Sequence, residues 1–366
     1  MRILFLANHL NVGGISSYLL TLGSGLKEKG HEVYLASGGG ELEEKFRQAG
    51  IILINVPLKT KSEISPKILI SYWKLKKAAA GLRIELIHSH SRTTQVLGCW
   101  LGRSLGRPHI FTCHGFFKPK LPRKVFGCWG QRVIAISSQV KEHLTADFKF
   151  SENKISVIHN GIDTQKFGDF SGRDRLRSSL GVAPDGFLIG IIARLSDVKG
   201  HLYLIRAMPE ILKKFPGTKL AIIGQGKTEG SLVKETGNLG LEGNILFVPE
   251  AKDTREWLCA MDVFAMPSLQ EGLGLALMEA MAQGLAVAGS AVGGIKTLVQ
   301  DKITGLLVPA RDAGALAQAI ISLLGDPDLR RNLGDQAREF IAANFSKKEM
   351  VEKTEGLYRQ VLNPNE

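Results

Sequence analysis

Glu271 and Glu279 stand with seven residues between them in a segment, 267–284, whose other side chains are mostly apolar or glycine. Two carboxylates at that interval can accept hydrogen bonds from two hydroxylated parts of one ligand. Glu271 falls in a glycine-flanked loop, whereas Glu279 falls on a helix that is apolar nearly all round, the pattern of a buried helix. A carboxylate in such a setting needs a partner. Three are open: the start of a neighbouring helix, a core arginine, or ligand hydroxyls. A helix running through both residues would hold them about 12 Å apart along its axis.

Arg194 and Lys199 lie five positions apart and are read as opening a helix. A guanidinium binds phosphate oxygens with two hydrogen bonds and a lysine acts as a flexible point charge, so the pair suits a diphosphate and the charge that develops on it as a leaving group. Taken alone such a pair is more often a solvated surface, but a lysine at a helix start opposes the helix dipole, which makes an anionic ligand more plausible. Gly13 and Gly14 lack the G-x-G-x-x-G spacing of a dinucleotide fingerprint. They still let the backbone approach a ligand and open a helix whose N–H groups suit an anion. A plain tight turn is the other reading.

The elements that would position these residues are short apolar runs alternating with longer amphipathic segments, the pattern of βαβ units and a parallel sheet. Strands are expected at 3–7, 32–36, 51–56, 86–88, 109–113, 133–136 and 155–158. A second set is expected at 187–193, 219–223, 245–248, 263–266, 286–288 and 306–308. Between the sets lies a polar, glycine-dotted stretch, 164–186, with a short helix at 173–180, where a domain boundary is expected. Nearly every distinctive residue follows a strand: Gly13 and Gly14, His114 and Gly115, Asn160 and Gly161 in the first half, and Arg194, Gly224, Gly226 and 268–271 in the second. Open α/β sheets bind ligands outside the carboxyl ends of their strands. Two such edges facing one another would make a cleft.

The 366 residues are enough for two domains, and 44% hydrophobic residues suffice for two cores, which excludes a disordered or fibrous chain. Cys99, Cys113, Cys128 and Cys259 form no C-x-x-C pair, so neither a zinc site nor a disulfide framework is expected, and a reducing compartment is. Only residues 3–7 are apolar after Arg2, and 272–291 carries Glu279 and Gln283, so neither an export signal nor a spanning helix is expected. The net charge of +12 sits wholly in residues 1–165, with 23 basic against 11 acidic residues. Within 59–132, 15 basic residues, among them Lys74, Lys76, Lys77, Arg103, Arg107, Lys118, Lys120, Arg123 and Lys124, face only Glu63 and Glu85. That asymmetry reads either as a solvated basic surface or as a site for an anionic partner. Nucleic acid is disfavoured, because no zinc finger or RNP-like aromatic run accompanies the charge. An anionic membrane surface fits it, with Tyr72 and Trp73 beside the lysines seated at the interface or turned into a core.

Taken together and in order, residues 11–15, His114 and Gly115, 135–137, 157–163, Ala193 and Arg194 with Lys199 and Gly200, 223–226, 271–279, 293–295 and 305–308 resemble the motifs of glycosyltransferase family 4. These are retaining enzymes of GT-B fold that use nucleotide-activated sugars, and the resemblance covers almost the whole chain. It implies an α/β chain of two Rossmann-like domains facing across a cleft: an acceptor-binding domain at 1–165, a nucleotide-sugar-binding domain at 166–345, and a helix within 346–366 that returns to the first domain. By similarity Arg194 and Lys199 hold the donor diphosphate, Glu271 the transferred sugar and Glu279 the ribose hydroxyls. His114 stands at the reacting centre. Gly13, Gly14, Asn160, Gly224, Gly272, Gly274 and Leu275 complete the donor site. No metal and no cofactor is implied; the donor is a substrate, a UDP-sugar ahead of a GDP-sugar. The acceptor is a glycan or lipid-linked glycan of the cell envelope, reached from the cytoplasm with peripheral attachment to the inner face of the plasma membrane. Leu273, Ala286 and Thr297 depart from the usual Phe, Pro and Glu of the family, which loosens the choice of donor but removes no proposed ligand. A GT-B epimerase or phosphorylase, or a silent sugar-nucleotide binding protein, would share these motifs.

Overall fold

The computed structural model describes residues 1–60, 62–119, 123, 127–168, 172–249, 251 and 253–363; Lys120 and Lys124, counted above among the basic residues, lie outside them. The chain divides into two compact units, Met1–Gly161 with Lys347–Glu366, and Ile162–Ser346. Ile162 goes with the second unit because its N–H donates to Phe345 O at 2.9 Å and it pairs with Ser346.

In the first unit, strands β1 (Arg2–Leu6), β2 (Glu32–Ser37), β3 (Ile52–Asn55), β4 (Leu86–Ser89), β5 (His109–Cys113), β6 (Arg132–Ala135) and β7 (Ile155–Val157) form a parallel sheet in the order β3-β2-β1-β4-β5-β6-β7. The order reverses between β1 and β4, the kind of point at which such sheets hold ligands. Its helices are α1 (Gly14–Glu28), α2 (Glu43–Gln48), α3 (Pro66–Gly81), α4 (Arg92–Leu105) and α5 (Ser138–Phe148). In the second unit, β8 (Leu188–Ile192), β9 (Lys219–Ile223), β10 (Ile245–Val248), β11 (Val263–Met266), β12 (Ala286–Ser290) and β13 (Leu306–Val308) are also parallel, in the order β10-β9-β8-β11-β12-β13, with the reversal between β8 and β11. Its helices are α6 (Arg173–Ser179), α7 (His201–Lys214), α8 (Glu229–Asn238), α9 (Thr254–Ala260), α10 (Leu275–Gln283), α11 (Ile295–Leu298), α12 (Ala313–Gly325) and α13 (Pro327–Asn344). Helix α14 (Lys347–Leu362) belongs to the first unit. All thirteen expected strands are present, each within two residues of its expected limits.

Central parallel strands are covered on both faces, so they read as unbroken apolar runs; Ile3, Leu4, Phe5 and Leu6 of β1 are all fully buried. Helix starts are set by side-chain caps. Ser91 and Thr94 form a capping box on α4, Ser65 with Pro66 starts α3, and Asp326 with Pro327 starts α13. Helix α14 buries Met350, Val351, Leu357 and Tyr358 in the core shared with β1, β2 and α1. A β-carbon on Gly25 of α1 would fall 2.4 Å from the Val351 Cγ2 methyl, far inside contact distance, so a glycine is what leaves room for that crossing. Tyr358 Oη lies 2.6 Å from His88 Nδ1, and Glu355 accepts from Lys29 at 2.8 Å and Arg359 at 2.7 Å and meets His31 at 3.1 Å. Lys29 first, with Arg359 and His31, holds the Glu355 carboxyl down at about 2 against the opposing effect of its burial.

Candidate active site

The carboxyl edge of the second sheet is a set of loops packed backbone on backbone at glycines. A β-carbon on Gly200 would fall within 1.8 Å of Pro267 O, one on Gly224 within 2.2 Å of Ala193 O, and one on Gly226 within 2.0 Å of Leu195 O. On the other side of β11, Gly293 and Gly294 lie against the backbone of Glu271 and Gly272, and Gly294 N donates to Glu271 O at 2.9 Å. Leu195 N donates to Gln225 O and Leu269 N to Val198 O. These loops follow β8, β9, β11 and β12, so the strand order brings together stretches far apart in the chain.

On this frame Lys199 Nζ donates to Glu271 Oε2 at 2.5 Å, with Ser268 Oγ at 3.4 Å from the same oxygen. Glu271 is buried and Lys199 half-buried. The sequence placed Lys199 at the start of a helix; it lies instead at the end of a single 3-10 turn, Asp197–Lys199, and α7 begins after Gly200. Arg194, near the start of the same loop and two residues past the end of β8, is exposed and forms no ion pair among the described residues. Ser196 Oγ is buried between them with no partner among the described residues. The edge therefore offers one unpaired guanidinium, one lysine whose charge a carboxylate already balances, and a buried hydroxyl.

Glu279 lies one and a half turns into α10, a helix with Leu277, Met278, Ala280 and Met281 buried, as the apolar pattern requires. Glu271 stands in a loop and Glu279 on a helix, as the sequence indicates, and no single helix runs through both. Gly274, at φ 101°, takes a left-handed conformation that glycine adopts without strain, and α10 starts only at Leu275. Glu271 and Gly272 stay in the loop, so the axial separation of a continuous helix does not apply. Glu279 is half-buried. Burial raises its carboxyl to about 7, with the nearby Asp253 charge adding to the rise and the Thr254 hydroxyl, at the start of α9, opposing it. Of the three open partners, then, the start of a neighbouring helix is present. Near neutrality this carboxyl is poised to accept or to donate a hydrogen bond.

In the first unit, Gly13 has φ 153° and precedes α1, whose first turn has no side-chain cap; both Gly13 and Gly14 are exposed. Asn8, at the end of β1, accepts from Ser91 Oγ and Thr93 Oγ1, each at 2.6 Å, tying β1 to the start of α4 at the point where the strand order reverses. His114 follows β5, half-buried, with its Nε2 3.3 Å from His90 Nδ1 and its ring edge-on to Tyr18 at 4.7 Å. Burial lowers His114 to about 3 and holds His90 well below its ordinary value. Both rings are neutral at pH 7, so one donates and the other accepts in their contact. A histidine with so low a value is a poor general base but a serviceable hydrogen-bonding group. Asn160 is buried, with Oδ1 unpartnered among the described residues.

Sequence reasoning missed His90 and the Lys199–Glu271 pair. The first left a signal, the His88-Ser89-His90 run at the carboxyl end of β4. The second left none, because 72 residues separate its members. Among the described residues no group of three or more His, Cys, Asp or Glu is arranged to hold a metal ion, and no helix is long and apolar enough to cross a membrane. A cavity of about 280 Å³ lined by Arg173, Asp262, Gly284, Ala286 and Arg330 lies at the amino ends of β11 and β12, the opposite edge from these loops.

Two family models match the chain in succession: Glycosyltransferase Family 4 over residues 12–166 and Glycosyl transferases group 1 over 172–340. The N-acetyl-alpha-D-glucosaminyl L-malate synthase of Bacillus anthracis is 26% identical over 96% of this chain and 95% of its own length. The UDP-Gal:alpha-D-GlcNAc-diphosphoundecaprenol alpha-1,3-galactosyltransferase of Escherichia coli is 29% identical over 80% of this chain and 79% of its own. In fold the chain is similar to Anabaena HepE, solved with UDP and glucose, at TM-score 0.88 and 21% identity over 98% of this chain and 100% of that one. With both halves matched in order and two parallel sheets like those of the solved relatives, the chain belongs to glycosyltransferase family 4, as a glycosyltransferase of GT-B type.

Proposed function

We propose that the protein moves a sugar from a nucleotide-sugar, a UDP-sugar ahead of a GDP-sugar, to a glycan or lipid-linked acceptor, with retention of anomeric configuration and without a metal ion or cofactor. The second unit takes the donor and the first the acceptor. Arg194 and Lys199 hold the diphosphate, and their charges do the work a divalent ion would otherwise do. Glu271 receives the hydroxyls of the transferred sugar and Glu279 those of the ribose. Gly224, Gly272, Gly274 and Leu275 bring backbone up to the donor, and Gly13, Gly14 and Asn160 act on it from the first unit. His114 hydrogen-bonds at the reacting centre as a neutral ring. The product belongs to cell-envelope polysaccharide, lipopolysaccharide or glycolipid, made in the cytoplasm, with the basic first unit held against the inner face of the plasma membrane.

The observation that carries this reading is the cationic pair at the carboxyl edge of the second sheet, with a buried carboxylate fixed on Lys199 by glycine-packed loops. The Escherichia coli relative is named for a UDP-galactose donor and a diphosphoundecaprenol acceptor, and HepE was solved with UDP and glucose, which supports the donor and acceptor classes. Thermal-shift screening of UDP-, GDP- and ADP-sugars identifies the donor, since bound ligand raises the melting point by mass action. With that donor, Arg194→Ala and Lys199→Ala should each cost about 3 kcal/mol in turnover in a folded protein. Near-normal turnover in both removes the diphosphate assignment. Activity abolished by chelator and restored by magnesium removes the metal-free one. Epimerised or free sugar nucleotide released without acceptor would make the protein an epimerase or phosphorylase instead.

A further inference from the structure

Helix α3 is apolar on both sides. Its inward row, Ile68, Ser71, Leu75 and Ala79, is buried in the first unit. Its outward row should be polar, yet Leu69 is 54% exposed, Ile70 49% and Trp73 61%, and Ile64 just before the helix is 93% exposed. The spacing of Leu69 and Ile70 from Trp73, four and three residues, puts them on one stripe. Trp100 of the adjoining α4 is 39% exposed and meets Tyr72 edge-on at 6.4 Å, which widens the stripe.

Every charge on α3 and α4 is positive. Lys67, Lys74 and Lys77 are exposed around the stripe, Lys76 Nζ stands 5.5 Å over the Trp73 ring, and Arg103 is exposed on α4. Glu63, the acid nearest in sequence, is neutralised by Arg92 at 3.3 Å and Arg123 at 2.8 Å. Because α3 follows β3, it starts from the carboxyl edge of the sheet, the edge that carries His114.

We propose that this face of α3 seats in the headgroup layer of an anionic lipid bilayer, with Ile70 and Trp73 entering the acyl boundary and the lysines reaching lipid phosphates. An apolar stripe flanked by lysines, with an indole at its centre, fits that boundary, where an aromatic body is buried while its N–H and the flanking ammonium groups stay wet. A free anionic solute would match the charges and leave the stripe uncovered. The inference rests on the membrane-facing reading of the first unit and goes further, because charge alone gives adsorption that salt removes, whereas the stripe adds a part that salt does not.

The test is co-sedimentation of the full chain with phosphatidylglycerol vesicles and with phosphatidylcholine vesicles, in dilute buffer and at about 0.5 M salt, where the screening length falls to a few ångströms. Wild-type protein should bind the anionic vesicles and keep a measurable fraction bound at high salt. Ile70→Ser with Trp73→Ser should lower the bound fraction by about tenfold or more and abolish the salt-resistant part. Lys74→Gln with Lys77→Gln should remove mainly the salt-sensitive part. All of these side chains are exposed, and circular-dichroism melts matching wild type confirm that the variants fold. Wild-type binding by the Ile70/Trp73 variant would overturn the role of α3 while leaving membrane attachment standing. No binding of wild type to anionic vesicles in dilute buffer would overturn both. A mass in light scattering that is dimeric for wild type and monomeric for the variant would make the stripe a self-association face and overturn the lipid assignment.

Discussion

Eight of the nine histidines lie in the first unit, and four of them, His88, His90, His109 and His114, are clustered at β4 and β5. Burial lowers all four, His109 and His114 to about 3 and the other two well below the ordinary value. Each is neutral in the folded state while its unfolded counterpart titrates near 6.5. As pH falls below that value the unfolded chain takes up protons that the folded chain refuses, so the stabilisation is complete above about 6.5 and is lost progressively toward about 3, by about 1.4 kcal/mol per pH unit for each histidine. Glu355 adds nothing to this window, since a carboxyl held at about 2 loses its contribution only below the unfolded value of about 4.5. Three of the four tryptophans, Trp73, Trp100 and Trp129, report on this unit. Urea unfolding followed by tryptophan fluorescence should therefore show a markedly lower midpoint at pH 5.5 than at pH 7.5. Equal midpoints would mean that the cluster protonates within the fold.

At the scale of elements, the loops around β11 are held by contact between main chains, and glycine is what permits it. Gly294 has an ordinary helical φ of −65°, so an alanine there suffers no backbone strain of its own. Its β-carbon would nevertheless fall 2.3 Å from Gly272 O and 2.4 Å from the Leu273 Cα, atoms that cannot swing aside. Gly294→Ala should cost about 1–3 kcal/mol, the usual price of overpacking, and should shift Glu271 off Lys199. Lower turnover and a lower melting temperature are expected together; an unchanged melt with unchanged turnover would show that the loop is slack. The same contacts explain what could be read in advance. Strands buried on both faces advertise themselves as apolar runs, and the rule that ligands sit at carboxyl edges then placed Arg194, Glu271 and His114 where they stand. The start of α7 falls beyond Lys199 because Gly200 adopts a left-handed conformation, which a glycine permits but does not demand. The pairing of Lys199 with Glu271, and of His90 with His114, depends on which strands become neighbours. The apolar residues of α3 satisfy a core pattern on either side, so only the packed structure shows that Trp73 faces outward.

At the scale of the whole molecule, two separately cored units are drawn from three stretches of chain, since α14 completes the first unit from beyond the second. The periodicity of 347–362 shows a helix; its destination depends on what Met350, Val351, Leu357 and Tyr358 bury against. This places a delay in the life of the nascent protein. The ribosome finishes residues 1–161 early, but their core lacks four side chains and His88 lacks its tyrosine until another 197 residues, through Tyr358, have been made. At about 5–20 residues per second that is a wait of about 10–40 s. Over that interval Leu19, Leu22 and Leu26 of α1 are covered on one side only, and the first-made unit becomes the last to close. Nascent chains arrested with residue 346 clear of the ribosome should accordingly show 1–161 cut by protease while 162–346 resists. Equal resistance of both would mean that the first unit closes unaided, with α14 sealing a structure already formed.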